Sequence, residues 1–407
     1  MTQMKGSGGI ELLIIADDLT GSNDAGAQFA KRGIRSVVVA TPDLAELPKG
    51  FPVVVVNSES RHIPADEAAE RIARIARLGV DAGARHYFKK TDSTLRGNIG
   101  AELKALLEAT GARWLPFVPA FPEMGRTTRD GIHYVHGVAI SESAFSKDPL
   151  SPVRESEVAK VLAANATIRV LSAKLGNLPL HPEADCMIVD CATREELGAI
   201  ARELKARDQL RVMAGSAAFA EELPNVLRLP RTDGATSVAR GPILCVTGSL
   251  NPRALEQIAA AAELFRKVKL SPGQLLQCEM SNIAFSGNEN VLLCSVEDRM
   301  ELGRYESKAH ELGILPERLH LEVAKGQGKI VREILESGTF QTLVVFGGDT
   351  LMGVARAMGW EAFVPSGEVE AGVTVAVPRD EGLTVVTKAG GFGDVDVLRR
   401  IFWWVRH

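Results

Sequence analysis

Residues 11–33 read ELLIIADDLTGSNDAGAQFAKRG. The first eight are an apolar run that ends on two carboxylates, Asp17 and Asp18, and they read as a buried strand. GSNDAGAQFAKRG then reads as a helix ending at Gly33, a residue type suited to the position just past a helix C-terminus. Outward from this unit the alternation repeats. RSVVVAT (35–41) and FPVVVVNS (51–58) are valine-rich strands, and 64–79 has a helical pattern with Pro64 near its start. HYFKKTDS, RWLPFVPA, CMIVDC and RVMAGSA continue the strand series, with helices expected at 97–110 and 193–207. Near-continuous apolar strands separated by helices predict a parallel sheet covered on both faces.

RLPRTDGATSVARGP (228–242) is polar, has two prolines and two glycines, and lacks periodicity. It reads as an interdomain linker, with domains at 1–235 and 236–407. The alternation then restarts. Strands are expected at PILCVTGS, NVLLCSV, TLVVFGGDT, VTVAVP and LTVVTKAGG, and helices at 252–264, 322–337, 350–358 and 394–405. Asp394 suits the cap of the last helix, whose Phe402, Trp403 and Trp404 are expected to dock on the second domain. The fold class is α/β: two domains, each a mostly parallel sheet flanked by helices, with the active site expected in the cleft between them. Residues 121–156 stand apart, with little apolar periodicity, and their arginines and histidines suggest a functional insertion.

The chain has 407 residues, 45% hydrophobic and 24% charged, with a formal net charge of −4. That balance gives no electrostatic reason for a nucleic-acid partner. Five cysteines without paired spacing argue against a secreted disulfide framework. The N-terminus, MTQMKGSGGI, lacks the apolar stretch of a signal peptide, and no window approaches the roughly 18 apolar residues of a membrane span. The expected location is the cytoplasm, and a homo-oligomer is open.

In open parallel sheets, ligands sit beyond the carboxyl ends of the strands. Polar residues gather at those ends here: Asp17, Asp18, Thr20 and Gly21 after the first strand, then Asn57 to Arg61, then Lys90, Thr91, Asp92 and Ser93 followed by Arg96. Asp18 and Asp92 or Ser93 also suit helix caps. A cap does not account for two lysines, an arginine and an aspartate together, and an anion site does, with Lys90 and Arg96 holding a carboxylate. The second half carries VTGS (246–249), FGGDT (346–350) and KAGGFGD (388–394), each at a strand end. Glycine lets backbone amides approach a phosphate, and a helix N-terminus adds its dipole. The chain has no GxxxxGK[ST] loop, no GxGxxG after the first strand and no GxSxG elbow, so those chemistries have no support. HYVH (133–136) lacks further ligands at metal spacing. One half offering carboxylate- and hydroxyl-binding groups and the other phosphate-binding loops suggests phosphoryl transfer, with an acidic residue orienting the attacking hydroxyl. Asp92 is preferred as that residue, and Asp17 is its rival.

The motifs IADDLTGSNDAGAQF, KKTDSTLRGN, VPAFPEMGRTTRDGIHYVHG, DPLSPVRES, VTGSLNP, FGGDT and KAGGFGD, in this order from about residue 11 to 400, resemble the four-carbon acid sugar kinase family. The resemblance implies an N-terminal sugar-acid domain, a C-terminal nucleotide domain, and ATP-dependent phosphorylation of the terminal hydroxyl of threonate, erythronate or 3-oxo-tetronate, with Mg2+ accompanying the ATP. It implies substrate roles for Asp17, Arg61, Lys90, Thr91, Asp92 and Ser93, to which the spacing adds Asp18 and Arg96. It implies nucleotide roles for Ser249, for Gly347, Gly348, Asp349, Thr350 and Leu351, and for Gly390, Gly391 and Gly393. Metal ligands stay open. The chain has GGDT where relatives carry GGET, one methylene longer. DPLSPVRES resembles the threonate kinases more than the 3-oxo-tetronate kinases, so D-threonate is the expected substrate. The alternatives are a 3-oxo-tetronate or erythronate kinase, and a non-catalytic sugar-acid sensor.

Overall fold

Five consecutive apolar residues form the first strand, β1 (Leu12–Ala16), and all five are buried. A strand covered on both faces has no polar side to present, so the alternation of a half-exposed strand is missing. The computed structural model describes residues 9–148, 151–231, 241–249, 251–278, 285, 288–296, 299–379 and 381–406. The chain divides into two compact units, Met1–Asp233 and Gly234–His407. Most of the sequence read as a linker, 232–240, lies outside the described residues.

In the first unit β1 is followed by α1 (Leu19–Ala30), β2 (Ser36–Val39), β3 (Val53–Asn57), α2 (Ala65–Asp81), β4 (His86–Lys90), α3 (Ile99–Thr110) and β5 (Leu115–Val118). Then come β6 (Arg126–Arg129), β7 (Ile132–Val135), β8 (Val138–Ala139), α4 (Val158–Ala163), β9 (Val170–Ala173), β10 (Cys186–Val189), α5 (Arg194–Ala206), β11 (Val212–Gly215) and α6 (Ala217–Val226). The large sheet has the order β2-β3-β1-β4-β11-β5-β10-β9, and its pairs are parallel. From β1 the chain builds first on one side, through β2 and β3, and then on the other, through β4. That reversal makes the gap between the ends of β1 and β4 a topological switch point, where α/β sheets bind ligands.

Residues 121–156 are not a plain loop. Strands β6, β7 and β8 form a small antiparallel sheet, joined to the body by bridges between Thr128 and Cys191 and between Ile132 and Glu157. The strands are short and only partly buried, so they carry no apolar period.

The second unit contains β12 (Ile243–Thr247), α7 (Pro252–Ala260), β13 (Arg266–Lys269), α8 (Pro272–Gln277), β14 (Val291–Cys294), α9 (Leu302–Glu311), α10 (Leu319–Leu335), β15 (Thr342–Phe346), α11 (Gly348–Met358), β16 (Ala362–Glu370), β17 (Val373–Pro378), β18 (Thr384–Lys388) and α12 (Val397–Arg406). Its strand order is β13-β14-β12-β15-β18-β17-β16. The pairs from β13 to β18 are parallel, and β16 and β17 add antiparallel. Its switch point lies between β12 and β15. Helix α12 docks through Val397, Leu398, Ile401 and Val405, with Phe402 and Trp404 packed beside them. Trp403 corrects the expectation drawn from the sequence: it is 54% exposed. Three consecutive residues on a helix span about 200°, so all three rings cannot share one face.

Candidate active site

At the switch point of the first unit, β1 delivers Asp17 and Asp18. Asp18 caps α1, its Oδ1 accepting from the Gly21 amide at 2.9 Å. Arg61 reaches in from the turn after β3. Its Nε donates to Asp17 Oδ2 at 2.7 Å, and its guanidinium pairs with Asp18 at 2.8 Å and approaches Asp92 at 3.8 Å. Lys90 closes β4, with its ammonium 3.8 Å from Asp17 Oδ1 and 3.6 Å from Asp18 Oδ1. Gly21 makes room for it, since a Cβ there would run into Lys90 Nζ.

Asp92 is committed differently. Arg96 grips it with both arms, Nε to Oδ2 at 2.8 Å and Nη2 to Oδ1 at 3.1 Å, and the Thr94 hydroxyl also donates to Oδ2. Arg96 in turn donates to Asp148 Oδ2 at 3.1 Å. Asp17 has one oxygen left over: Oδ1 is buried and has no hydrogen-bond partner among the described residues. Thr20 Oγ1 and both side-chain polar atoms of Asn23, one helical turn apart on α1, are buried and unpartnered in the same sense. Buried polar atoms are nearly always satisfied, so the orphaned Asp17 Oδ1 beside Lys90 and Arg61 makes this strand end a candidate place for a polar ligand.

Burial alone would raise the carboxyl pKa values of Asp17 and Asp92. Arg61 and Lys90 outweigh it at Asp17, and Arg96 and Arg61 at Asp92, so both sit well below the usual carboxylate range. Burial would lower Lys90, but Asp18 and Asp17 hold it above the usual value. Both aspartates are therefore anions at neutral pH and Lys90 a cation.

Thr91 and Ser93 are tied into the scaffold. Thr91 donates its amide to Gly215 O at 2.8 Å, and the Ser93 carbonyl lies 2.9 Å from His133 Nε2. His133 Nδ1 lies 3.0 Å from the Thr128 hydroxyl. Burial pushes His133 down to about 4, so it is neutral and braces the 91–96 loop from β7. Two non-glycine residues with left-handed backbone, Glu59 and Leu95, occupy the loops that carry Arg61 and Arg96, and such outliers cluster at functional sites. A cavity of about 410 Å3 adjoins Arg61 and Arg96 and is also lined by Asn98, Ser151, Arg154 and Lys160.

The sequence reading missed Thr94, Asp148 and the pair behind the site. Lys89 and Lys90 alternate across β4, so Lys89 faces away from Asp17. It is fully buried and pairs with Glu102 of α3 at 3.2 Å, and Glu102 also accepts from Ser60. A lysine on a buried strand demands such a counterion, but nothing in the spacing names which one.

In the second unit the three glycine loops meet. Gly347 donates its amide to Lys388 O at 3.0 Å. A Cβ on Gly248 would meet the Thr350 hydroxyl, and one on Gly390 would run into Ser249. Thr350 donates to Gln327 Oε1 at 3.0 Å, and Gln327 Nε2 donates to Thr247 O at 3.0 Å, locking the first two loops together. Gly347 has φ 110°, open only to glycine, and Gly348 begins α11, so free helix amides lie at the strand end. Asp349 is exposed there, whereas the side chain of Leu351 is buried in the core and its amide is spent on Gly347 O.

Two doubly wound units, one presenting buried cations and carboxylates and the other convergent glycine turns at a helix N-terminus, define an α/β protein with a candidate site for a polar acid in one unit and for a phosphate in the other. Residues 12–223 match the family model of a sugar-binding N-terminal domain, and residues 244–398 that of a nucleotide-binding C-terminal domain. The chain is 32% identical to D-threonate kinase of Bordetella bronchiseptica, covering 97% of both chains. It is 29% identical to D-threonate kinase of Salmonella typhimurium (97% and 98%) and 27% identical to 3-oxo-tetronate kinase of Methylobacterium radiotolerans (95% and 97%). A crystal structure of a Salmonella typhimurium protein shares the fold, with TM-score 0.74 and 18% identity over 96% of this chain and 98% of that one. The chain belongs to the four-carbon acid sugar kinase family. It is an ATP-using phosphotransferase with an alcohol group as acceptor. No helix among the described residues is long and apolar enough to cross a membrane.

Proposed function

We propose that the chain phosphorylates the 4-hydroxyl of D-threonate, with residues 1–235 binding the sugar acid and 236–407 the nucleotide. The observation that carries the site reading is the unpartnered Asp17 Oδ1 beside Lys90 and Arg61. A carboxylate held ionised by two cations accepts a hydrogen bond from the attacking hydroxyl, orients it, and takes its proton late in transfer. The spacing placed Asp92 ahead of Asp17 in this role. The geometry favours the reverse, because Arg96 and Thr94 already engage both Asp92 oxygens. Asp92 then positions Arg96 and Arg61, and Lys90, with Arg61 and Arg96, neutralises the substrate carboxylate. Asp18, Thr91 and Ser93 shape the same pocket, and Thr20 and Asn23 are suited to the sugar hydroxyls.

Ser249, Gly347 to Thr350, and Gly390, Gly391 and Gly393 would receive the phosphates on backbone amides. Leu351 contributes by anchoring α11 rather than by contact. Mg2+ keeps several waters and binds largely through nucleotide phosphates. Among the described residues no three His, Cys, Asp or Glu side chains group as a metal cage, which fits an ion held chiefly by ATP, with Asp349 as a nearby carboxylate. Bound there, Mg2+ would neutralise charge on the transferring phosphate.

D-threonate is favoured over its rivals by D-threonate kinases at 29–32% identity, against 27–29% for the 3-oxo-tetronate kinases, and by the stretch DPLSPVRES. The test is ADP release from the purified protein across D- and L-threonate, D- and L-erythronate and 3-oxo-tetronates. D-threonate should give the highest kcat/KM. A tenfold preference for another acid would overturn the substrate assignment.

A further inference from the structure

Lys388 closes β18 and is 1% exposed, yet no carboxylate lies within ion-pair distance of it among the described residues. A buried ammonium without an anion is expensive, and proteins seldom keep one without a use. Its three donors go to three carbonyls of the following turn: Ala389 O at 2.8 Å, Gly390 O at 3.0 Å and Phe392 O at 3.0 Å. The ammonium also stands 4.5 Å from the centre of the Phe346 ring on β15. The titratable groups that face it are Cys245 on β12 and Glu370 on β16. Burial holds the Cys245 thiol protonated, and Glu370 is ion-paired to Arg400 of α12, which also binds Asp394. Meanwhile the amides of Gly390, Gly391 and Gly393 donate to no backbone or side-chain acceptor among the described residues.

We propose that Lys388 is a positioning residue for nucleotide phosphates: its ammonium gathers the carbonyls of the 389–392 turn behind the loop and leaves the glycine amides for the phosphate. The proposal rests on the reading that this turn meets the nucleotide. The division matters because a carbonyl turned toward a phosphate repels it, whereas an amide attracts it. The same cation supplies positive charge behind the loop from a site of low dielectric, where it acts strongly. Burial pushes Lys388 down to about 7, so the free protein near neutrality holds it only partly protonated. An arriving phosphate favours the ammonium, so nucleotide binding draws a proton into the protein on the alkaline side of neutrality.

Calorimetry on the full chain tests this, with the non-hydrolysable triphosphate AMP-PNP and Mg2+ in buffers of different ionisation enthalpy, at about pH 6 and about pH 8. The wild type should take up a fraction of a proton at the higher pH. Its affinity should fall by up to about tenfold per pH unit relative to Lys388→Met, which removes the charge but keeps the length. Adenosine, which has no phosphate, should show neither effect. Lys388→Met should bind AMP-PNP about tenfold or more weakly at the lower pH, with a flat difference profile. Absence of proton uptake by the wild type, or the same pH profile in both proteins, overturns the proposal. The wild-type measurement stands alone should the variant fail to fold. Gly391→Glu separates the two readings. If it weakens AMP-PNP and Lys388→Met does not, the loop binds nucleotide and Lys388 has no part in it. If Gly391→Glu binds normally, the loop reading itself falls.

Discussion

Asp17 and Asp92 have the same side chain, lie at neighbouring strand ends and touch the same arginine, yet they are not interchangeable. Asp92 has both oxygens in the grip of Arg96, while Asp17 keeps Oδ1 unspent. Asp17→Asn should therefore lower kcat by about 10²–10⁴-fold in the ADP-release assay while ATP binding stays intact. Asp92→Asn should act mainly through KM for the sugar acid and through stability, because Arg96 and Arg61 lose their shared anion. An Asp92→Asn enzyme with normal KM and a collapsed kcat would return the proton-accepting role to Asp92. Both carboxyls have folded pKa values below their unfolded value of about 4. Their stabilising contribution is thus fully present above about pH 4 and is lost as pH falls below it toward the folded values. Urea unfolding at about pH 6 and about pH 3 should show the wild type losing more stability than Asp92→Asn over that interval.

Between elements, the pair Lys89–Glu102 ties β4 to α3 and, through Ser60, to the loop that carries Arg61. Both side chains are almost wholly buried, so removing one partner strands a charge. Lys89→Met alone should cost about 3–5 kcal/mol in denaturant unfolding, and adding Glu102→Leu should recover most of it. Recovery of stability without recovery of sugar-acid KM would show that the pair is kept for the placement of Arg61. In the second unit α10 and α11 cross backbone to backbone. A Cβ on Gly353 would run into Ala324 O, and one on Gly328 into Gly353 O. Gly328→Ala or Gly353→Ala should destabilise by about 1–3 kcal/mol or more, since backbone cannot step aside as a side chain can. Because α11 begins in the 347–350 turn, ATP affinity should weaken with them.

For the molecule as a whole, each unit has its own run of parallel strands and its own switch point, so the two binding functions should separate by mutation in the full chain. Arg61→Met should raise KM for the sugar acid and leave the Kd for ATP within about twofold. Gly348→Glu, which sets a carboxylate at the start of α11, should do the opposite. Equal effects of either variant on both ligands would contradict the division of labour. The two-unit organisation was legible in the sequence because parallel strands buried on both faces are unbroken apolar runs: LLIIA, VVVVN, ILCVT and TLVVF announce themselves. The edge strand β13, RKVK, did not, since three of its four residues are exposed. Nor did β16, whose proline, glycine and bulges hide a nine-residue strand.

What the sequence determined by itself was the set of strand ends and the residue types placed there, because the period of a buried strand and the chemistry of its tip are local properties. Asp17, Arg61, Lys90, Asp92, Arg96 and the three glycine turns could all be named from it. Which of those groups are spent on one another is not local. Asp148 meets Arg96 across 52 residues, Glu102 meets Ser60 across 42, and Gln327 reaches Thr247 across 80. Only the tertiary structure assigns these partners, because an ion pair or hydrogen bond is selected by distance and burial after the chain has closed. The same closure leaves Asp17 Oδ1 without a hydrogen-bond partner among the described residues and encloses Lys388 among carbonyls. A free oxygen and a buried charge are properties of what surrounds an atom, and the surroundings come from segments far along the chain.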